Sequence, residues 1–222
     1  QQREVIYSFR RNVLKGFSMK IEILEMMEDT IDYVVDMHIP DGTYPEEWNL
    51  DRLCSWLKNS LNVIITPEQL QSDHMTKANL TDELRELAHL AYAEKEKRVG
   101  EDMMRDIERR SLLEVVDTEW RDHLHEMDLL KDGIYLRSYA NKDPLIEYKK
   151  ESFDLFQSLI TRIQENVTKK VFTTYILSRA QMQSMLDNAN MSHSELNAFL
   201  HAQEAMQQEN LQHPMPPEAM AD

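Results

Sequence analysis

Two apolar stripes at helical spacing dominate the second half of the chain. Between Glu101 and about Arg137, the residues Met104, Ile107, Leu112, Val115, Val116, Trp120, Leu124, Met127, Leu130 and Ile134 recur mostly at intervals of three to five. A second stripe follows with Leu145, Tyr148, Ser152, Leu155, Phe156, Leu159, Ile163, Val167 and Val171, and the pattern reaches about Leu177. Between them stands "LRSYANKDP", residues 136–144, whose Asp143 and Pro144 have the chemistry of an N-cap and a first helical residue. A continuous first helix is roughly 55 Å long at 1.5 Å per residue. Two helices of that length joined by about six residues can bury both stripes only by folding back side by side. The sequence therefore predicts a long antiparallel hairpin with "LRSYANKDP" at its tip.

The rest of the chain reads as helix too. Residues 1–38 carry Val5, Ile6, Phe9, Val13, Phe17, Leu24, Met27, Ile31, Val34 and Val35, with a slip at Gly16 to Ser18 that marks a kink or break. "HIPDGTYP" (38–45) ends this run. Residues 46–81 are choppier. Asn49 is placed to cap a short helix, "NVII" (62–65) is either a strand or an extended linker, and "TPEQ" (66–69) has the form of a capping box. Thr81 is expected to start a helix that runs to Val99, before Gly100. Residues 179–222 turn to Gln, Met, Asn and Ala; Ser192 with Glu195 fits one short helix, and "HPMPPEAMAD" is expected to be disordered. Four Gly, seven Pro and 8 % aromatics in 222 residues suit an all-α fold better than a sheet.

Charge and motifs narrow the function. A net charge of −15 argues against a broad nucleic-acid surface. The single cysteine, Cys54, leaves no internal disulfide and fits a reducing compartment. No apolar run reaches the length of a membrane span, and no signal-peptide pattern opens the chain. Gln1 begins with a helical pattern already under way, so a piece of a longer protein is expected. Neither GxxxxGK[ST] nor GxGxxG occurs, and no nucleophile sits in a recognisable elbow, so no catalytic residue, bound cofactor or metal is expected in this stretch. "DHLHEMD" (122–128) is the densest set of metal-ligand types. Asp122 and His125 have helical spacing but lack the usual Glu, and His123 points elsewhere, so solvated helix surface is the expectation. Trp120 reads as core.

The tip is different. From Leu136 to Lys150 the cations Arg137, Lys142, Lys149 and Lys150 outnumber the anions Asp143 and Glu147. A locally basic tip on an acidic chain attracts an acidic surface or anionic lipid headgroups. Tyr139 either grips a partner or folds back onto its own hairpin, and the residues alone leave both open.

Residues 112–160 carry D-x-x-W-x-x-H-L, M-D-x-L, G-I-x-L-R-x-Y-A and K-D-P-x-x-E-Y-x-x-E-S-F in that order. This stretch closely resembles the C-terminal helical region of the SecA family, the motor ATPases that drive unfolded preproteins through the bacterial Sec channel. "QQREVIY" (1–7) is similar to that family's long scaffold helix. The resemblance implies a scaffold helix over 1–39, a helical wing domain over 40–100, a two-helix finger over 101–178 and a flexible tail over 179–222. It implies that Leu136, Arg137, Tyr139 and Lys142 touch the SecY channel and the moving polypeptide. Trp120, Leu124, Met127, Tyr148 and Phe156 would then hold the hairpin together. The implied partners are SecY, unfolded preprotein and the remaining SecA domains, with an anionic membrane surface and a homodimer as further candidates. ATP and Mg would act in domains outside this stretch, and the setting would be the cytoplasmic face of the bacterial inner membrane. The Cys-rich zinc motif that many members carry at the tail is missing here, and Ser138 stands where Gly is common. Two other readings stay open: a non-catalytic helical adaptor, and a helical metalloenzyme using Asp122, His123 and His125.

Overall fold

The computed structural model describes residues 1–16, 19–70, 76–134 and 143–174. They form α1 (Gln2–Leu14), α2 (Lys20–His38), a short 3-10 turn (Pro45–Glu47), α3 (Leu50–Leu61), α4 (Pro67–Leu70), α5 (Lys77–Val99), α6 (Glu101–Gly133) and α7 (Pro144–Thr173). No strand occurs among the described residues, as an all-α chain requires. The tip residues Leu136, Arg137, Tyr139 and Lys142 lie outside the described residues, and so do the tail from 179 to 222 and its Ser192–Glu195 cap.

Local chemistry sets the helix ends. The N-terminal run is two helices. At the end of α1 the N–H groups of Lys15 and Gly16 turn back onto the carbonyls of Arg11 and Val13, and Gly16 adopts a φ of 77°. That left-handed conformation suits Gly and stops the helix. Asn49 caps α3 by accepting from the Arg52 N–H at 3.2 Å, as its position predicts. Residues 62–66 are neither helix nor strand, which settles "NVII" as linker, and Gln69 reaches back to the Thr66 N–H at 2.9 Å. The start of α5 differs from expectation. Thr76, not Thr81, is the cap, accepting from the Asn79 N–H at 3.2 Å. Thr81 lies one turn inside the helix, its hydroxyl donating to the Lys77 carbonyl. The last helix also stops earlier, at Thr173 rather than near Leu177.

The core lies where α2, α3, α5, α6 and α7 meet. Ile23, Met27, Ile31, Leu57, Leu80, Leu84, Met104, Leu112, Leu159 and Val167 are each at most 1 % exposed. Burying a side chain of this size stabilises by about 1.5–3 kcal/mol. Gly100 makes the corner between α5 and α6 with φ 88° and ψ 151°, a conformation essentially confined to Gly. Chain direction therefore reverses within one residue, and the last turns of α5 face the first turns of α6.

That corner brings charged side chains into the core. Tyr92, Lys95 and Glu96 share one face of α5. Tyr92 donates its hydroxyl to Glu108 on α6, which is only 1 % exposed. Glu96 pairs with Arg105 of α6 and, at 2.7 Å, with Lys20 of α2. Arg105 also donates to the Tyr92 oxygen at 3.0 Å and lies 3.1 Å from Glu108. Lys95 is buried and donates to the Val171, Phe172 and Thr174 carbonyls, the last two at 2.8 and 2.7 Å. An ammonium on the last carbonyls of α7 meets both their unsatisfied acceptors and the negative end of the helix dipole. Burial lowers the Lys95 pKa, while these three oxygens favour its charged form. Burial also raises the Glu108 carboxyl, against the Tyr92 hydroxyl and the Arg105 charge. Replacing Glu108 by Leu strips Tyr92 and Arg105 of an acceptor and should cost about 1–3 kcal/mol in urea unfolding. Glu108→Gln, which keeps an acceptor for Tyr92, should lose less; equal losses would contradict this reading.

Candidate functional site

The long hairpin is built by α6 and α7. Lys170 pairs with Glu114, Asn166 donates to Glu119 at 2.8 Å, and Arg162 bridges Glu119 at 3.0 Å and Glu126 at 3.2 Å. Partners climb α6 as they descend α7, so the two helices run antiparallel. Asp143 caps α7 toward the tip, its carboxylate accepting from the Leu145 N–H at 2.8 Å. Pro144 fills the first helical position.

A third helix docks on this hairpin through one short motif. Asp117, Trp120 and His123 are spaced by three along α6, so they lie along one side of it. Each meets a different residue of α1. Asp117 takes the Arg10 guanidinium at 2.7 and 3.2 Å, and Trp120 meets the Tyr7 ring edge-on at 6.3 Å. His123 places Nε2 3.1 Å from the Gln2 side-chain oxygen. Gln2 also donates its amide to the Ser152 carbonyl of α7 at 2.9 Å. The lettered positions of D-x-x-W-x-x-H thus form the seam that receives the "QQREVIY" helix.

His123 is fully buried, not solvated as expected from its charged neighbours. Its ring lies 5.4 Å from Trp120 and 6.0 Å from Phe156, and Glu126 stands 4.0 Å from Nδ1. Burial lowers its pKa, opposed by the Glu126 charge and reinforced by Arg162, which leaves a neutral ring at pH 7. Asp122 and His125 are exposed while His123 is buried, which separates the three candidate metal ligands. No group of three His, Cys, Asp or Glu side chains able to hold a metal occurs among the described residues.

Trp120, Leu124, Met127 and Tyr148 line one cleft of about 330 Å³ with Gln2, His123 and Ser152, and Phe156 stands against His123. Of these five hairpin residues, Trp120 is core at 9 % exposed, and Met127, Tyr148 and Phe156 are half-buried. Leu124 is 36 % exposed rather than core, because α6 turns that face toward the open groove beside α1. Leu145 of the second stripe is 60 % exposed as well, lining an open cleft with Lys131, Ile134 and Tyr148. Gln2, Lys95 and Glu108 were not singled out from sequence. For Lys95 and Glu108 a signal existed: each falls in register with an apolar stripe, as His123 does with Val116 and Trp120.

Fold and seam together define an all-helical scaffold in which one antiparallel hairpin is registered against a separate docking helix. Residues 1–175 match the model of the SecA wing and scaffold domain, and the chain belongs to that family. It is 44 % identical over 171 residues to the protein translocase subunit SecA of Carboxydothermus hydrogenoformans, covering 76 % of this chain and 19 % of that protein. The like-named protein of Desulforudis audaxviator is 40 % identical over 190 residues, 82 % of this chain and 21 % of its own length. That of Streptomyces coelicolor is 38 % identical over 190 residues, 83 % of this chain and 20 % of its own. The chain therefore spans about a fifth of the length of the curated relatives it matches.

The Trp120 Nε1–H finds no acceptor among the described residues, so the ring acts through its apolar area alone. Trp120→Ala should cost about 3–5 kcal/mol in denaturant unfolding. Trp120→Phe should cost markedly less, since no hydrogen bond is lost. A Phe variant as unstable as the Ala variant would contradict this reading.

Proposed function

We propose that this chain is the wing and scaffold region of a SecA-type preprotein translocation motor. In this reading the α6–α7 hairpin carries movement from ATPase domains outside the chain to a SecY-type channel and an unfolded preprotein. The match of residues 1–175 to the SecA wing and scaffold domain is the observation that carries the proposal.

The physical shape suits the role. A hairpin stapled across its base half by Arg162, Asn166 and Lys170 would move as one rod and carry displacement from its base toward its far end. Toward the tip, Leu129, Leu145, Ile146 and Phe153 are all at least 60 % exposed, beside Lys149 and Lys150. Exposed apolar side chains on this half of the hairpin favour contact with another macromolecule. Leu136, Arg137, Tyr139 and Lys142 at the tip would then meet channel and preprotein, with ATP and Mg bound by the other domains. No described helix is long and apolar enough to cross a membrane. We place the protein at the cytoplasmic face of the bacterial membrane, held there by the channel and by anionic lipid.

In a complete motor carrying this segment, Tyr139→Ala should reduce preprotein transport into vesicles several-fold and leave basal ATP hydrolysis near its starting rate. Transport at the unaltered rate would overturn the tip assignment.

A further inference from the structure

We infer that Gln2 is a positioning residue that fixes the register of α1 against both helices of the hairpin. Most of the contact between α1 and the hairpin is with α6 alone. Arg10 pairs with Asp117, but these side chains are 40 % and 45 % exposed, so the pair is screened and tolerates sliding. Tyr7 meets Trp120 by an edge contact that has little directional demand. Gln2 is different in kind. Its amide oxygen faces His123 of α6 and its amide nitrogen donates to the backbone of Ser152 in α7.

The two bonds dictate each other. A backbone carbonyl only accepts, so the NH2 group must point at Ser152 and the oxygen at His123. His123 must then carry its proton on Nε2. The opposite amide orientation would set the Gln2 oxygen against the Ser152 carbonyl oxygen. The Ser152 hydroxyl cannot substitute, because it already donates to the Tyr148 carbonyl at 2.6 Å. Around this point His123 is fully buried and Ser152 is 8 % exposed, so both partners are fixed by the packed hairpin, while Gln2 reaches them from the half-buried edge of the cleft. A change of register of α1 by one residue, about 1.5 Å along its axis with a turn of about 100°, carries Gln2 away from both partners. Register is therefore held by two directional bonds, one to each arm of the hairpin. Movement entering through α1 is shared by α6 and α7 together, which keeps the rod from shearing.

The register lock stands on geometry alone; its mechanical use rests on the motor reading above. Both are tested with Gln2→Met, which keeps the length of the side chain and removes its bonds. Spin labels at Val5 on α1 and Phe153 on α7, both exposed, report the distance between them in the 222-residue chain. The distance distribution should be at least twofold broader in Gln2→Met, whereas Arg10→Met should leave it unchanged. The 15N shifts of His123 should report the Nε2–H tautomer in the parent and a mixture of tautomers in Gln2→Met. An unchanged distribution in a folded Gln2→Met protein overturns the register lock. In a complete motor carrying this segment, Gln2→Met should lower preprotein moved per ATP several-fold with ATP turnover retained. Broadened distances with transport per ATP unchanged would overturn the mechanical role while leaving the lock in place.

Discussion

One turn of α5 holds the molecule together. Tyr92, Lys95 and Glu96 leave the same face, and each binds a different neighbour: Glu108 on α6, the last carbonyls of α7, and Lys20 on α2 with Arg105 on α6. The arrangement depends on Gly100, whose φ and ψ reverse the chain without intervening residues. A longer turn would move Arg105 and Glu108 out of reach of α5. Apolar packing supplies most of the free energy, but it is non-directional and tolerates sliding. The buried polar groups do not, because each misplacement leaves a donor or acceptor unpaired. The base of the hairpin is thus fixed in angle as well as in position.

From that base the hairpin rises as two helices stapled by exposed and half-exposed ion pairs, with α1 laid along α6. The same logic recurs at the seam. Trp120 provides apolar area, while Gln2, His123 and the Ser152 carbonyl provide direction. A rigid scaffold needs both. Area keeps the helices together, and direction prevents them from slipping past one another. The proposed place of this chain in a translocation motor would give this rigidity a use, since such a motor would have to carry displacement from where nucleotide is split to where polypeptide moves.

Much of this was legible in the sequence, and what was not has a common cause. The paired stripes, the Asn49 and Asp143 caps and the break at Gly16 are local signals, each set by residues a few positions apart. The start of α5 was misplaced because Thr76 and Thr81 offer the same cap chemistry, and only the packing of Leu80 at 0 % exposure decides between them. Leu124 and Leu145 match the apolar spacing yet stand exposed, since spacing names a face and not what covers it. Lys95 and Glu108 were overlooked, and His123 was read as solvated surface, for the opposite reason. Polar side chains in register with an apolar stripe look like interruptions until a partner on another helix explains them. Gln2 left no pattern, because its two partners lie 121 and 150 residues away.

In the proposed role the hairpin delivers its tip to a moving polypeptide. The direct measurement places a photo-cross-linking amino acid at Tyr139 of a complete motor engaged with a stalled preprotein. Cross-links should form from this position to the preprotein and to the channel, with weak ones from Val5 on the docking helix. Efficient transport without any cross-link from position 139 to either would contradict that role.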